Sequence, residues 1–172
     1  SVVASTEDGL VKCFDVRKAG GSGQEAVWSV QAHSAATSAL DFCPAASDIL
    51  ATGGGDKMVK LWSMSARTCK ATLTEHTSGV FAVAASEDAI ASGGNDDTAR
   101  IYPLEGGASR HTLQHPNGVY ALDMKAGVLV TGVPSLGVLR WRGRQVVCSS
   151  EAAVATFLSK PEEVHRRATE EA

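Results

Sequence analysis

"ATGGGDKMVKLW" at residues 51–62 and "ASGGNDDTARIY" at residues 91–102 decide how this chain folds. Each reads as a hydroxyl residue, glycines, an acidic turn and a short alternating run that ends in an aromatic ring. Taken alone, GGGDK at 53–57 suggests a loop that cradles phosphate, and GGNDD at 93–97 suggests part of a cation site. Spacing argues against both. A phosphate loop needs G-x-x-x-x-G-K-[ST] leading into a helix, whereas Lys57 runs into Met58 and a strand-like VKLW. GGNDD lacks the further acidic ligands of a calcium loop. As one turn used twice, the two stretches read as β-hairpin connections whose glycines serve tight β geometry.

The surrounding sequence repeats. Trp62, Tyr102 and Trp141 lie 40 and 39 residues apart, and Phe14 precedes Trp62 by 48, the excess fitting an insertion in RKAGGSGQE at 17–25. Ten residues before each later aromatic stands a hydroxyl followed by glycine, at Thr52, Ser92 and Thr131, and upstream of these are His33, His76 and His115. Such a period decides architecture before any single motif does. Within 67–102, TCKATL, VFAVAAS, AIASGG and TARIY read as strands of alternating polarity separated by short polar turns. Four strands per period with no helical run between them predict an all-β fold of four-stranded antiparallel sheets repeated radially.

The succession AHS…ALDF…ILATGGGDKMVKLWSM resembles a WD40 repeat of the β-propeller family. EHTSGVFAV…AIASGGNDDTARIYPL resembles the next, QHPNGVYALDM…VLVTGVPSLGVLRWRG a degenerate third, and SVVASTEDGLVKCFDVR the second half of another. The resemblance covers about residues 1–150. It implies a buried network of His33, Thr52, Asp56 and Trp62 in one blade, and of His76, Ser92, Asp96 and Tyr102 in the next. A last set, His115, Thr131 and Trp141, has Ser135 where aspartate is expected, beside Pro134. Serial bonding of indole, hydroxyl, imidazole and carboxylate would satisfy polar groups that burial otherwise leaves unpaired. Three full repeats and a fragment make about 3.5 blades of a seven-bladed propeller, so the chain is expected to be the C-terminal part of a larger one. Residues 151–172 change character and predict a helical tail, with Ser159 as cap, Pro161 in the first turn and Val154, Phe157 and Leu158 as a stripe packed on the propeller rim.

The 172 residues carry a net charge of −3 at a pI near 5.9, which gives no global basic field for nucleic acid. No apolar run is long enough to span a membrane. Cys13, Cys43, Cys69 and Cys148 are scattered, which fits reduced thiols in an intracellular protein of cytoplasm or nucleus, with neither metal nor cofactor. No G-x-S-x-G, H-E-x-x-H or Cys/His constellation is present, so catalysis is not expected. The expected role is a scaffold for protein partners in a multisubunit assembly, with no small-molecule substrate. By resemblance, contacts fall just before the turn aspartate (Gly55, Asn95, Pro134) and on loop residues Ser34, Thr77 and Asn117. Two alternatives attach to further motifs. LRWRGR would present Arg140, Arg142 and Arg144 as one basic row, either a solvated sheet edge or a contact for RNA phosphate or an acidic partner. STEDGLVKCFDVR and GGGDKMVKLW are loosely similar to repeats of periodic-tryptophan ribosome-biogenesis proteins, which implies an RNA-linked role in ribosome assembly. FDVR, ending at Arg17, is similar to the W-D-x-R signature of cullin–RING ligase substrate receptors.

Overall fold

The computed structural model describes residues 2–15, 17, 25–44, 48–125 and 128–133, and residues 137–141 and 144–148 through their backbone. The helical tail expected at 151–172, together with Arg142, Pro134 and Ser135, lies outside the described residues.

Fifteen strands occur among the described residues, all in antiparallel sheets. The first sheet holds β1 (Val2–Ser5), β2 (Leu10–Phe14) and β3 (Trp28–Gln31), in that order. The second holds β4 (Thr37–Phe42), β5 (Ile49–Gly54), β6 (Val59–Ser63) and β7 (Thr68–Leu73). The third repeats it as β8 (Val80–Ala85), β9 (Ala89–Gly94), β10 (Thr98–Pro103) and β11 (His111–Gln114). The fourth is β12 (Ala121–Lys125), β13 (Val128–Gly132), β14 (Gly137–Trp141) and β15 (Arg144–Cys148). Each four-stranded sheet is an up-and-down meander. The first strands β4, β8 and β12 pack side by side, so the sheets stand as consecutive blades.

Cores lie between blades, because one sheet cannot cover both of its own faces. Between the first and second blades, Val11, Ala32, Leu50 and Trp62 are buried, with Trp28 set edge-on to Trp62 at 6.4 Å. Between the second and third, Ala51, Val59, Leu61, Val80, Val83, Ile90 and Tyr102 close a larger cluster. The two faces of β5 therefore feed two different cores. All six residues of β5 and all six of β9 are buried, which departs from the half-polar alternation read from the sequence. A blade's second strand has a neighbour on each side and so behaves like the doubly covered strands of a parallel sheet.

The first strands carry a β-bulge. Thr37 and Ala39 pair with Gly54 and Gly53, leaving Ser38 unmatched. Val80 and Ala82 pair with Gly94 and Gly93 in the same way, leaving Phe81 unmatched. An extra residue there re-aims its side chain out of the pleat.

Candidate functional site: turn networks and the loop face

Four elements of the second blade meet at one buried chain of hydrogen bonds. His33 leads into β4, Thr52 lies on β5, Asp56 in the β5–β6 turn and Trp62 on β6. His33 Nδ1 is 2.8 Å from Asp56 Oδ1, His33 Nε2 is 2.9 Å from Thr52 Oγ1, and Trp62 Nε1–H donates to the same hydroxyl at 3.0 Å. A carboxylate only accepts, so Nδ1 of His33 carries the proton and Nε2 is left as an acceptor. Thr52 must then donate to Nε2 while accepting from the indole. Every proton in the series has one place.

This arrangement needs a neutral imidazole and an ionised carboxylate. Burial lowers the His33 pKa from its ordinary 6.5, outweighing the pull of Asp56. Burial alone would raise the Asp56 pKa. The N–H of Ser34, the His33 ring and the N–H of Met58 outweigh it and hold the carboxyl below its ordinary 3.8. At neutral pH each such pair keeps one unneutralised negative charge beneath the turn.

The third blade copies the geometry up to the aromatic residue. His76 Nδ1 lies 2.9 Å from Asp96 Oδ2, His76 Nε2 lies 2.7 Å from Ser92 Oγ, and Thr98 Oγ1 adds a bond to Asp96 at 2.7 Å. Burial again lowers the His76 pKa. Tyr102 is fully buried, but its hydroxyl has no partner of acceptable geometry among the described residues; Ser92 is near enough to influence it without closing a hydrogen bond. Burial pushes the phenol up to about 12. In the fourth blade, His115 is 8% exposed and neither ring nitrogen has a hydrogen-bond partner among the described residues. Its pKa is lowered by burial alone. Thr131 is buried on β13 beside the strand that ends at Trp141.

The glycines have a different task from the one the turn reading gave them. A Cβ on Gly53 would sit 2.6 Å from Val80 of the next blade, and one on Gly93 would sit 2.6 Å from Val119. A Cβ on Gly54 would meet the His33 ring at 2.4 Å. These residues allow blades and imidazoles to approach. The left-handed turn conformation falls instead on Lys57 (φ 72°) and Asp97 (φ 59°).

The connecting loops gather the residues proposed for contact. Ser34 and Thr77 are exposed, and their backbone N–H groups bind Asp56 and Asp96 at 3.0 and 2.9 Å. Gly55, Asn95 and Asn117 are exposed. Asn95 Oδ1 accepts a hydrogen bond from the Tyr120 hydroxyl at 2.6 Å. Tyr120 and Phe81, 46% and 38% exposed, stand 5.1 Å apart with planes tilted by 34°. Sequence reading missed this pair. Its signal was a large ring at the bulge of VFAVAA and at the matching position of GVYALD.

Two basic motifs are rearranged. β14 ends at Trp141 and β15 begins at Arg144, which pairs with Trp141, while Arg140 pairs with Gln145. Arg140 and Arg144 therefore stand on two paired strands, and Arg142 lies outside the described residues. Arg17 is 84% exposed and folds back on Asp15, with Nε to Oδ1 at 3.0 Å and Nη2 to Oδ2 at 3.2 Å. Among the described residues no group of three His, Cys, Asp or Glu is arranged for a metal, and no helix is long and apolar enough to cross a membrane.

Consecutive four-stranded antiparallel blades, tied by His–hydroxyl–Asp turns, define part of a β-propeller of the repeat type. Residues 24–63 and 67–102 match the family profile of the WD domain, G-beta repeat, and the chain belongs to the WD40-repeat family. Over 116 residues, 62% of this chain and 25% of the relative, it is 35% identical to the ribosome biogenesis protein WDR12 homolog of Chlamydomonas reinhardtii. Over 57 residues, 33% of this chain and 6% of the relative, it is 42% identical to the periodic tryptophan protein 2 homolog of Caenorhabditis elegans. The chain thus spans a quarter or less of these curated relatives. Neither name refers to a ubiquitin ligase, and nothing supports the substrate-receptor reading of FDVR.

Proposed function

We propose that the chain is a non-catalytic WD40 scaffold in ribosome assembly, where it holds protein partners on its connecting-loop face in the nucleus or nucleolus. The observation that carries this is the 35% identity over 116 residues to a relative named for ribosome biogenesis. The site geometry agrees with a scaffold. The buried His–Asp pairs are closed into hydrogen-bond series that fix the turns, and Ser34, Gly55, Thr77 and Asn95 stand exposed beside them. The net charge of −3 favours protein over RNA as the direct contact.

The test is sedimentation of the tagged, full chain on sucrose gradients, with and without ribonuclease and at rising salt. Co-sedimentation with ribosomal precursor particles that survives moderate salt is expected. A chain found only in the free-protein fractions overturns the reading. Loss of the association on mild salt alone would instead favour direct RNA contact.

A further inference from the structure

The fourth blade keeps the histidine of the turn network and loses what holds it. In the second and third blades Gly54 and Gly94 follow the hydroxyl by two residues, and a Cβ there would strike the His33 or His76 ring at 2.4 or 2.7 Å. The matching residue, two beyond Thr131, is Val133. Ser135 stands at the place of the carboxylates Asp56 and Asp96. Ser34 and Thr77, whose N–H groups bind those carboxylates, are matched by Pro116, which has no N–H to give. Glycine, acid and donor are replaced together. His115 is nevertheless buried, at 8% exposed, and neither ring nitrogen has a hydrogen-bond partner among the described residues.

The ring stands at a seam between blades. Its backbone N–H donates to the Asp97 carbonyl at 2.8 Å, and the Val119 N–H donates to the Gly94 carbonyl at 3.0 Å. Val119 also occupies the space kept open by Gly93, where a Cβ would lie 2.6 Å from it. Residues 115–119 therefore stitch the third blade to the fourth. The elements around the seam carry Asp96 and Asp97 in the β9–β10 turn, His111 on β11, Asp123 and Lys125 on β12 and Arg140 on β14, while β8 and β13 carry no titratable group. Asp96 is committed to His76 and Thr98. Burial alone lowers the His115 pKa, so none of these charges offsets a proton on its ring.

We propose that His115 is an acid-triggered release for this seam: a proton on its ring frees residues 115–119 from the third blade and opens the fourth blade, while the second and third blades stay joined. In those two blades the adjacent Asp56 and Asp96 offset part of the cost of charging a buried imidazole. Once the seam is open, the His115 ring is hydrated and titrates at its ordinary 6.5. Opening is therefore favoured by about tenfold at one pH unit below that value.

Hydrogen–deuterium exchange of the full chain at pH 7.5 and 5.5, corrected for the intrinsic pH dependence of amide exchange and resolved by peptide, measures the opening. Peptides within 115–124 are expected to lose about tenfold in protection at pH 5.5, and those within 37–62 and 80–102 about threefold or less. His115→Leu removes the titrating group and keeps an apolar filling, so protection of 115–124 is expected to be equal at the two pH values. Val133→Gly/Ser135→Asp returns the glycine and the acid to the fourth repeat. It is expected to bring the acid response of 115–124 down to that of the third blade, and it covers failure of the leucine variant to fold. Equal losses in the third and fourth blades of the unaltered chain, or an undiminished loss in either folded variant, overturn the proposal.

Discussion

Replacing Thr52 by valine keeps the shape of the side chain and removes the hydroxyl at the centre of the second blade's network. Thr52 Oγ1 receives the Trp62 indole N–H at 3.0 Å and faces His33 Nε2 at 2.9 Å, all at fully or nearly fully buried positions. The variant strands two groups, an indole donor and an imidazole acceptor. At about 1–3 kcal/mol for each buried unsatisfied group, the loss is about 2–6 kcal/mol. The equivalent hydroxyl of Ser92 bonds His76 Nε2 but makes no acceptable bond to Tyr102, so Ser92→Ala strands one group and costs about 1–3 kcal/mol. Urea unfolding of both variants, followed through tryptophan fluorescence and far-ultraviolet dichroism, measures the difference. A Thr52→Val loss below about 0.5 kcal/mol, or one no larger than that of Ser92→Ala, refutes the serial network as a source of stability and the assignment of its protons.

The same contrast should appear at the aromatic positions. Tyr102→Phe removes a hydroxyl with no partner and is expected to be neutral within about 0.5 kcal/mol or slightly stabilising, whereas Trp62→Phe loses a hydrogen bond and packed volume and costs about 1–3 kcal/mol in the same urea assay. Gly53→Ala forces a methyl against Val80 and Val83 of the next blade and is expected to cost about 1–3 kcal/mol, relieved when Val80→Ala and Val83→Ala are added; no relief would mean that blade contact does not set the need for glycine. Stability should fall on acidification in two windows. The folded-state pKa values of His33 and His76 lie below their unfolded value of 6.5, so their contribution is complete above 6.5 and is lost as pH falls from there toward the folded values. Asp56 and Asp96, depressed below 3.8, lose theirs only as pH falls under that value. A urea midpoint that stays flat from neutral pH into the acid range would contradict this.

Much of the fold was legible in the chain because its cause is local and repeated. Strands β7 to β10 fall where TCKATL, VFAVAAS, AIASGG and TARIY placed them, and the turns at Asp56 and Asp96 connect the second and third strands of adjacent blades. A forty-residue period samples the same short-range rules several times, so one ambiguous strand is corrected by its counterparts. The burial of both faces of β5 and β9 was not legible, since alternation describes one strand and a blade's second strand is covered by two different neighbours.

The sequence by itself determined the repeat, the strand order within a blade and the residue types available to each turn. Only the tertiary structure decided what those residues do. Gly53 and Gly54 of GGGDK admit close neighbours, Val80 of the next blade and the His33 ring, which come from segments 20 or more residues away. Arg140 and Arg144 of LRWRGR fall on two strands, because register is set by pairing across the hairpin and not by position along the chain. Phe81 and Tyr120 became an exposed pair through a bulge and the meeting of two blades, which the linear pattern marks only as large rings at matching positions of VFAVAA and GVYALD.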